Sequence, residues 1–113
     1  MHELSITRSI VATVAERAVG MRVTRVRVEI GRLSAVMPDA VRFCFDVCAA
    51  GTVLEGAALE IVEVGGVGQC SDCGAQLPLA VPAGRCPACG GARLRIVAGG
   101  ELIIKEMEVE ACA

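Results

Sequence analysis

Apolar residues at the start of the chain recur three and four positions apart. Leu4, Thr7, Ile10, Val11, Val14 and Ala18 share one helical face, while Ser5, Arg8, Glu16 and Arg17 mostly fall elsewhere. That pattern predicts an amphipathic helix over 4–19, about four turns long, with Gly20 as a plausible stop. The period then shortens to two. Val26, Val28 and Ile30 interleave with Arg25, Arg27 and Glu29, which predicts a half-buried strand over 22–30, closed by Gly31. A second helix opens at Met37-Pro38-Asp39, where proline suits the first helical position and aspartate suits the helix dipole. Val41, Cys44, Phe45 and Cys48 form its apolar stripe and Gly51 ends it. Strands are expected over Leu54–Val64, with Gly56 as a bend, and over Glu101–Glu110, where Met107, Val109 and Ala111 alternate with Glu106, Glu108 and Glu110.

Between those last two strands the pattern loses its long apolar runs and gains cysteines. Cys70-Ser71-Asp72-Cys73-Gly74 is answered, after an interval of 12 residues, by Cys86-Pro87-Ala88-Cys89-Gly90. Two C-x2-C turns at this separation suit a tetrahedral zinc ion held by four thiolates. The glycine behind each pair permits a positive φ where a side chain would crowd the turn. Gln76–Val81 and Arg93–Val97 are short apolar segments that read as strands of a small zinc ribbon. Two disulfides, or a redox dithiol, would use the same residues. No secretory signal leads the chain, and a redox C-x-x-C ordinarily stands without a twin at ribbon spacing, so zinc is the preferred reading. With all four positions filled by sulfur, no place is open to substrate, and the metal's role is structural.

These elements define an α+β fold: two helices packed on a small three-stranded sheet, with the zinc ribbon inserted before the final strand. Gly65, Gly66 and Gly68 read as a flexible joint. The division expected is 1–66 plus 99–113 for the main domain and 67–98 for the ribbon. Composition narrows the function. Hydrophobic residues are 54% of the 113, yet there are two Phe and no Trp or Tyr, so the core must be aliphatic. A net charge of -2, with few aromatics, argues against general nucleic-acid binding. No apolar stretch approaches the roughly 20 residues of a membrane span. Seven cysteines without an export signal point to the reducing cytoplasm. No catalytic triad, phosphate loop or carboxylate pair is present, so an enzyme is not expected.

One histidine remains, His2. A histidine near a terminus is ordinarily a solvated tail residue. Here it follows a methionine that a bulky second residue helps to retain, so the Met1 α-amine, the intervening backbone nitrogens and the imidazole can form fused chelate rings in one plane. Planar nitrogen donation suits Ni(II) or Cu(II), and Glu3 adds an oxygen nearby. Such a site is sparse and exposed and would bind reversibly, as a carrier does. Among the other candidates, Cys44 and Cys48 read as core packing and Cys112 as a tail thiol. Arg22, Arg25 and Arg27 read as a solvated basic face able to meet an acidic partner.

Met1-His2-Glu3-Leu4-Ser5, Val26-Arg27-Val28-Glu29-Ile30-Gly31, Val41-Arg42-Phe43-Cys44-Phe45-Asp46 and the paired cysteine motif together resemble the HypA/HybF family, nickel metallochaperones of [NiFe]-hydrogenase maturation. The resemblance covers essentially the whole chain. It implies a nickel domain of two helices and three strands with a zinc domain attached. It implies His2 as nickel ligand with the amino-terminal and backbone nitrogens, Glu3 close by, and Cys70, Cys73, Cys86 and Cys89 as zinc ligands. It also implies a HypB-type GTPase and the hydrogenase large subunit as partners, with urease served in some members. Some members place an acidic residue near the start of the second helix to support nickel. Here position 40 is Ala40, leaving its neighbour Asp39 either to support nickel or only to favour the helix dipole. The ribbon loop contains no histidine. The competing reading is a zinc-ribbon adaptor in which His2 plays no part.

Overall fold

The computed structural model describes residues 2–82 and 84–111. Met1 and Cys112, both named above, lie outside them. Helix α1 spans Glu3–Ala18 and buries Thr7, Ile10, Val11, Val14 and Ala18, the face its periodicity predicts except at its start, where Leu4 is 41% exposed and Glu3 is buried in its place. The left-handed turn that ends it falls on Val19 (φ 51°) as well as on Gly20 (φ 80°). Buried Thr7 is satisfied inside the helix, its hydroxyl donating to the Glu3 carbonyl at 2.6 Å. Strand β1 follows at Arg22–Gly31, and helix α2 spans Pro38–Ala49 with Pro38 in its first turn. In α2, Val41, Phe45 and Ala49 are buried, whereas Cys44 and Cys48 lie beside that stripe and are only half-buried.

The expected strand over Leu54–Val64 is shorter than its pattern suggests. Thr52–Ala57 forms successive turns, closed by bonds from the Glu55 N–H to the Thr52 carbonyl and from the Ala57 N–H to the Leu54 carbonyl. Gly56 sits at φ 79°, which no strand accommodates, and β2 begins only at Ala58, running to Val64. Leu54 is nevertheless fully buried, so an irregular segment supplies a core residue. Leu54→Ala is expected to destabilise the chain by about 2–5 kcal/mol, read as a lower denaturant midpoint.

A larger difference concerns the glycines before Cys70. In place of a flexible joint, Gly66–Cys70 forms strand β3. β3 is the centre of a second sheet, between β4 (Gln76–Leu79) and β5 (Leu94–Ala98). It pairs antiparallel with β4 from Gly66↔Leu79 to Gln69↔Gln76. Glycine is required there by close approach. A Cβ on Gly66 would sit 2.5 Å from Leu33 Cδ1, and one on Gly68 would sit 2.5 Å from Leu79 Cδ1. Residues that looked like slack are space for neighbours.

The last strand, β6 (Leu102–Glu110), joins the first sheet, whose order is β2-β1-β6. A late segment therefore completes the early sheet, as its length and alternation imply. The chain divides into two compact units, Met1–Glu29 with Val36–Val62 and Ile103–Ala113, and Ile30–Ala35 with Glu63–Leu102. The first holds nearly all the aliphatic core, including Ile10, Val14, Val26, Val28, Val41, Phe45 and Leu54. In the second, the buried hydrophobic residues among those described are Ile30, Cys70 and Cys86. Segment 30–35 joins it through hydrogen bonds, the Leu33 N–H donating to the Gly99 carbonyl at 2.8 Å and the Gly31 N–H to the Glu101 carbonyl at 2.9 Å.

The arginines of β1 are not an open basic face. Arg25 pairs with Glu60 at 2.6 Å and Glu108 at 2.7 Å, and Arg27 with Glu60 at 2.6 Å and Glu106 at 3.1 Å. Arg22 donates to the Glu55 carbonyl at 2.8 Å. This ladder ties both outer strands to β1. Hydrogen bonds from Arg27, then Arg25, hold the Glu60 carboxyl below its ordinary value. A depressed carboxylate stabilises the fold above the unfolded value and loses that contribution as pH falls through the folded one. Glu60→Gln is therefore expected to lower the melting temperature modestly at neutral pH and less at acid pH. Its effect should also shrink in 1 M salt, because the pairs are part-exposed and screened.

Candidate metal centres

The four cysteines are brought together by two turns of the same construction. The Gly74 N–H donates to the Cys70 carbonyl at 2.8 Å, and the Gly90 N–H to the Cys86 carbonyl at 2.7 Å. Gly74 and Gly90 have φ of 78° and 76°, as the glycine behind each pair predicts. A further bond closes each turn, the Cys70 N–H to the Ala75 carbonyl at 2.9 Å and the Cys86 N–H to the Gly91 carbonyl at 2.8 Å. The first turn is tied to the residue before β5 by the Ser71 N–H donating to the Arg93 carbonyl at 2.9 Å, one step beyond the Cys70↔Leu94 pair of the β3–β5 ladder. Asp72 and Arg93 add a side-chain link, Arg93 Nε donating to Asp72 Oδ1 at 3.0 Å. Nothing in the cysteine spacing announces that ion pair.

All four Sγ atoms lie within 4.8 Å of one another. Cys70 and Cys89 are 3.6 Å apart, as are Cys73 and Cys86. Four sulfurs about 2.3 Å from one zinc ion stand about 3.8 Å apart at the corners of a tetrahedron, so the separations fit that ion. They do not fit a disulfide, which needs about 2.05 Å. Cys70 and Cys86 are buried, Cys73 and Cys89 exposed.

The protonation of the thiols agrees with a cation. Cys70 is lowered to about 7, first by the Cys73 N–H, against burial, with further help from the Asp72 N–H and the neighbouring thiols. For Cys89 the Gly91 N–H pulls downward, but hydrogen bonding to Cys70 and Cys73, together with burial, outweighs it and pushes the thiol up to about 12. Cys73 is also raised: the Ala75 N–H lowers it, and Cys86, burial and Cys70 overcome that. One sulfur ionises readily and its neighbours then resist. A divalent ion at the centre removes the conflict by stabilising every thiolate together.

At the other end of the sequence, His2 is exposed and stands at the N-cap of α1, with φ -92° and ψ -3°. Its carbonyl accepts the Ile6 N–H at 2.9 Å, while its imidazole makes no capping bond. Next to it, Glu3 is 8% exposed and accepts the Met37 N–H through Oε2 at 3.2 Å. That bond fixes the first turn of α1 against the entry to α2. The first N–H groups of any helix have no intrahelical acceptor, so backbone nitrogens here can bind a metal without breaking the helical ladder. Asp39 is brought to the same helix entry, but its carboxylate is 95% exposed and pairs with Arg42 at 2.8 Å.

Comparison with known proteins decides the family. The sequence model that matches, over residues 1–109, describes "Hydrogenase/urease nickel incorporation, metallochaperone, hypA". The chain belongs to the HypA family. The hydrogenase maturation factor HypA of Rippkaea orientalis is 58% identical over 110 residues, which cover 97% of this chain and 96% of that protein. That of Geobacter metallireducens is 50% identical, covering 97% and 100%. The solution structure of the Ni metallochaperone HypA from Helicobacter pylori superposes with a TM-score of 0.72 at 28% identity, covering 98% of this chain and 99% of that one.

HypA membership makes this chain a nickel metallochaperone of hydrogenase maturation, a maturation factor and not a catalyst, and it disfavours the adaptor reading. The α+β architecture agrees with the HypA solution structures, and the four-cysteine site suits structural zinc. No helix among the described residues is long and apolar enough to cross a membrane.

Proposed function

We propose that this HypA-family chain binds one transferable Ni(II) through the Met1 amine, the backbone nitrogens that follow it and the His2 imidazole, with Glu3 beside them. The observation that carries this reading is the start of α1. His2 is exposed and unengaged at the side chain, one residue from a carboxylate that is itself anchored to Met37. A ligand free to turn, on a rooted base, suits cargo that must be bound and then released. Asp39 is engaged by Arg42, which favours its reading as a helix-dipole residue over a direct nickel ligand.

In the same proposal Cys70, Cys73, Cys86 and Cys89 hold zinc permanently. Nickel carriage falls to residues 1–66 with 99–113 and zinc to 67–98. The receiving protein is a hydrogenase large subunit, and a HypB-type GTPase takes part, since this chain has no phosphate loop of its own. The setting is the cytoplasm, where thiols stay reduced. The test is a nickel titration of the untagged chain, with binding near one ion per chain expected. A fusion tag ahead of Met1 moves the amine and is expected to weaken binding. Undiminished affinity in the tagged protein would exclude the amine as a ligand.

A further inference from the structure

Strand β6 ends its sheet. β1 lies along one edge, and no strand lies along the other among the described residues. A groove of about 420 Å³ runs between β6 and the second half of α1, lined by Thr13, Val14 and Arg17 from the helix and by Ile104, Lys105, Glu106 and Met107 from the strand; the Glu106 carboxylate is already paired with Arg27 at 3.1 Å. Val14 is buried and Met107 half-buried, whereas Arg17 and Lys105 are exposed. Neither cation has an ion pair among the described residues. By contrast, Arg25, Arg27, Arg32, Arg42 and Arg93 each have one.

The alternation of β6 explains the difference. Glu106 and Glu108 are turned to Arg27 and Arg25. Successive strand residues point to opposite faces, so Ile103, Lys105, Met107 and Val109 share the other face. Ile103 is 40% and Val109 37% exposed. The groove thus meets the strand at its edge, where the carboxylates of Glu106 and Glu108 are taken up by Arg27 and Arg25 and the charges of Lys105 and Arg17 are left without a partner among the described residues.

We propose that the free edge of β6 and this groove receive an extended segment of a partner protein that carries acidic residues at alternate positions and adds to the sheet as a further strand. Main-chain hydrogen bonds along the edge supply binding in this mode, and side chains at alternate positions supply selectivity. Carboxylates of the segment meet Lys105 and Arg17, while its apolar residues cover Met107 and the exposed Ile103 and Val109. A second copy of this chain is a poorer occupant. Two β6 strands would bring Glu106, Glu108 and Glu110 of each toward those of the other, and like charges across strands are destabilising. The proposal rests on neither metal assignment.

The probe is a blocked peptide alternating valine and glutamate, titrated into the isotopically labelled full-length zinc-loaded chain. Amide shifts confined to 13–17 and 102–109, with slowed exchange along β6, are expected. The same peptide with lysine for glutamate should bind about tenfold more weakly, as two part-exposed charge contacts allow. Arg17→Glu combined with Lys105→Glu should reverse that preference. Both side chains are exposed, so folding should survive. If the double reversal does not fold, Lys105→Gln alone should weaken the acidic peptide about threefold, as loss of one such contact allows. Absent shifts, shifts elsewhere, or an equal response to the lysine peptide would overturn the proposal. So would a concentration-dependent dimer of the peptide-free chain with β6 protected, which would make the occupant a second copy.

Discussion

Replacing Cys73 by serine is expected to release zinc and to melt the unit Ile30–Ala35 with Glu63–Leu102, while the unit built on α1 and α2 stays folded. The asymmetry follows from where the core lies. The first unit buries Val26, Val28, Val41 and Leu54 completely. The second buries two of its own prospective ligands, Cys70 and Cys86, and Ile30. Binding worth roughly 10–16 kcal/mol is available to a structural zinc site, and little else in that unit can replace it. Cys73 is the informative position because it is exposed, so the substitution removes a ligand without opening a cavity. Metal content by mass spectrometry and backbone amide spectra of 63–102 provide the measurement. A variant that kept stoichiometric zinc would refute the four-sulfur assignment.

His2→Ala should abolish stoichiometric nickel binding and leave zinc and fold unchanged. The imidazole is exposed and makes no capping bond, so its removal disturbs neither α1 nor the Glu3–Met37 link. Loss of a direct ligand should exceed the roughly 10–100-fold cost of losing an outer-shell partner. Calorimetric titration of the untagged variant beside the parent chain measures it. Equal affinity would mean that nickel is held elsewhere. The two substitutions should be independent in metal content, each removing one ion and sparing the other.

The β1 ladder shows how residues readable one at a time acquire meaning only as a set. Arg25 and Arg27 alternate along one strand, and Glu106 and Glu108 along another. The two alternations are complementary in sign, a signal present in the sequence. What was missing was the adjacency of β1 and β6, separated by the whole zinc lobe in sequence. The same applies to Asp72 and Arg93, which meet because β3 pairs with β5 beside them. Glycines misled in the opposite direction. Read locally, Gly65, Gly66 and Gly68 signal slack; next to Leu33 and Leu79, Gly66 and Gly68 are part of a packed strand. The apolar neighbours of Leu54 suggest a strand, whereas turns at Thr52–Ala57 hold it in the core.

The sequence by itself determined the two helices, the first and last strands of the main sheet, the grouping of the four cysteines and the family. Those features depend on periodicity and short spacing, which are local properties of a chain. Only the tertiary structure decided which strands adjoin, that segment 30–35 belongs with the cysteine turns, that the β1 arginines are neutralised from both sides, and that Asp39 is held by Arg42. Each of these depends on a distance between residues far apart in sequence or on a rotamer choice, and neither quantity is encoded by the identity of the residues next door.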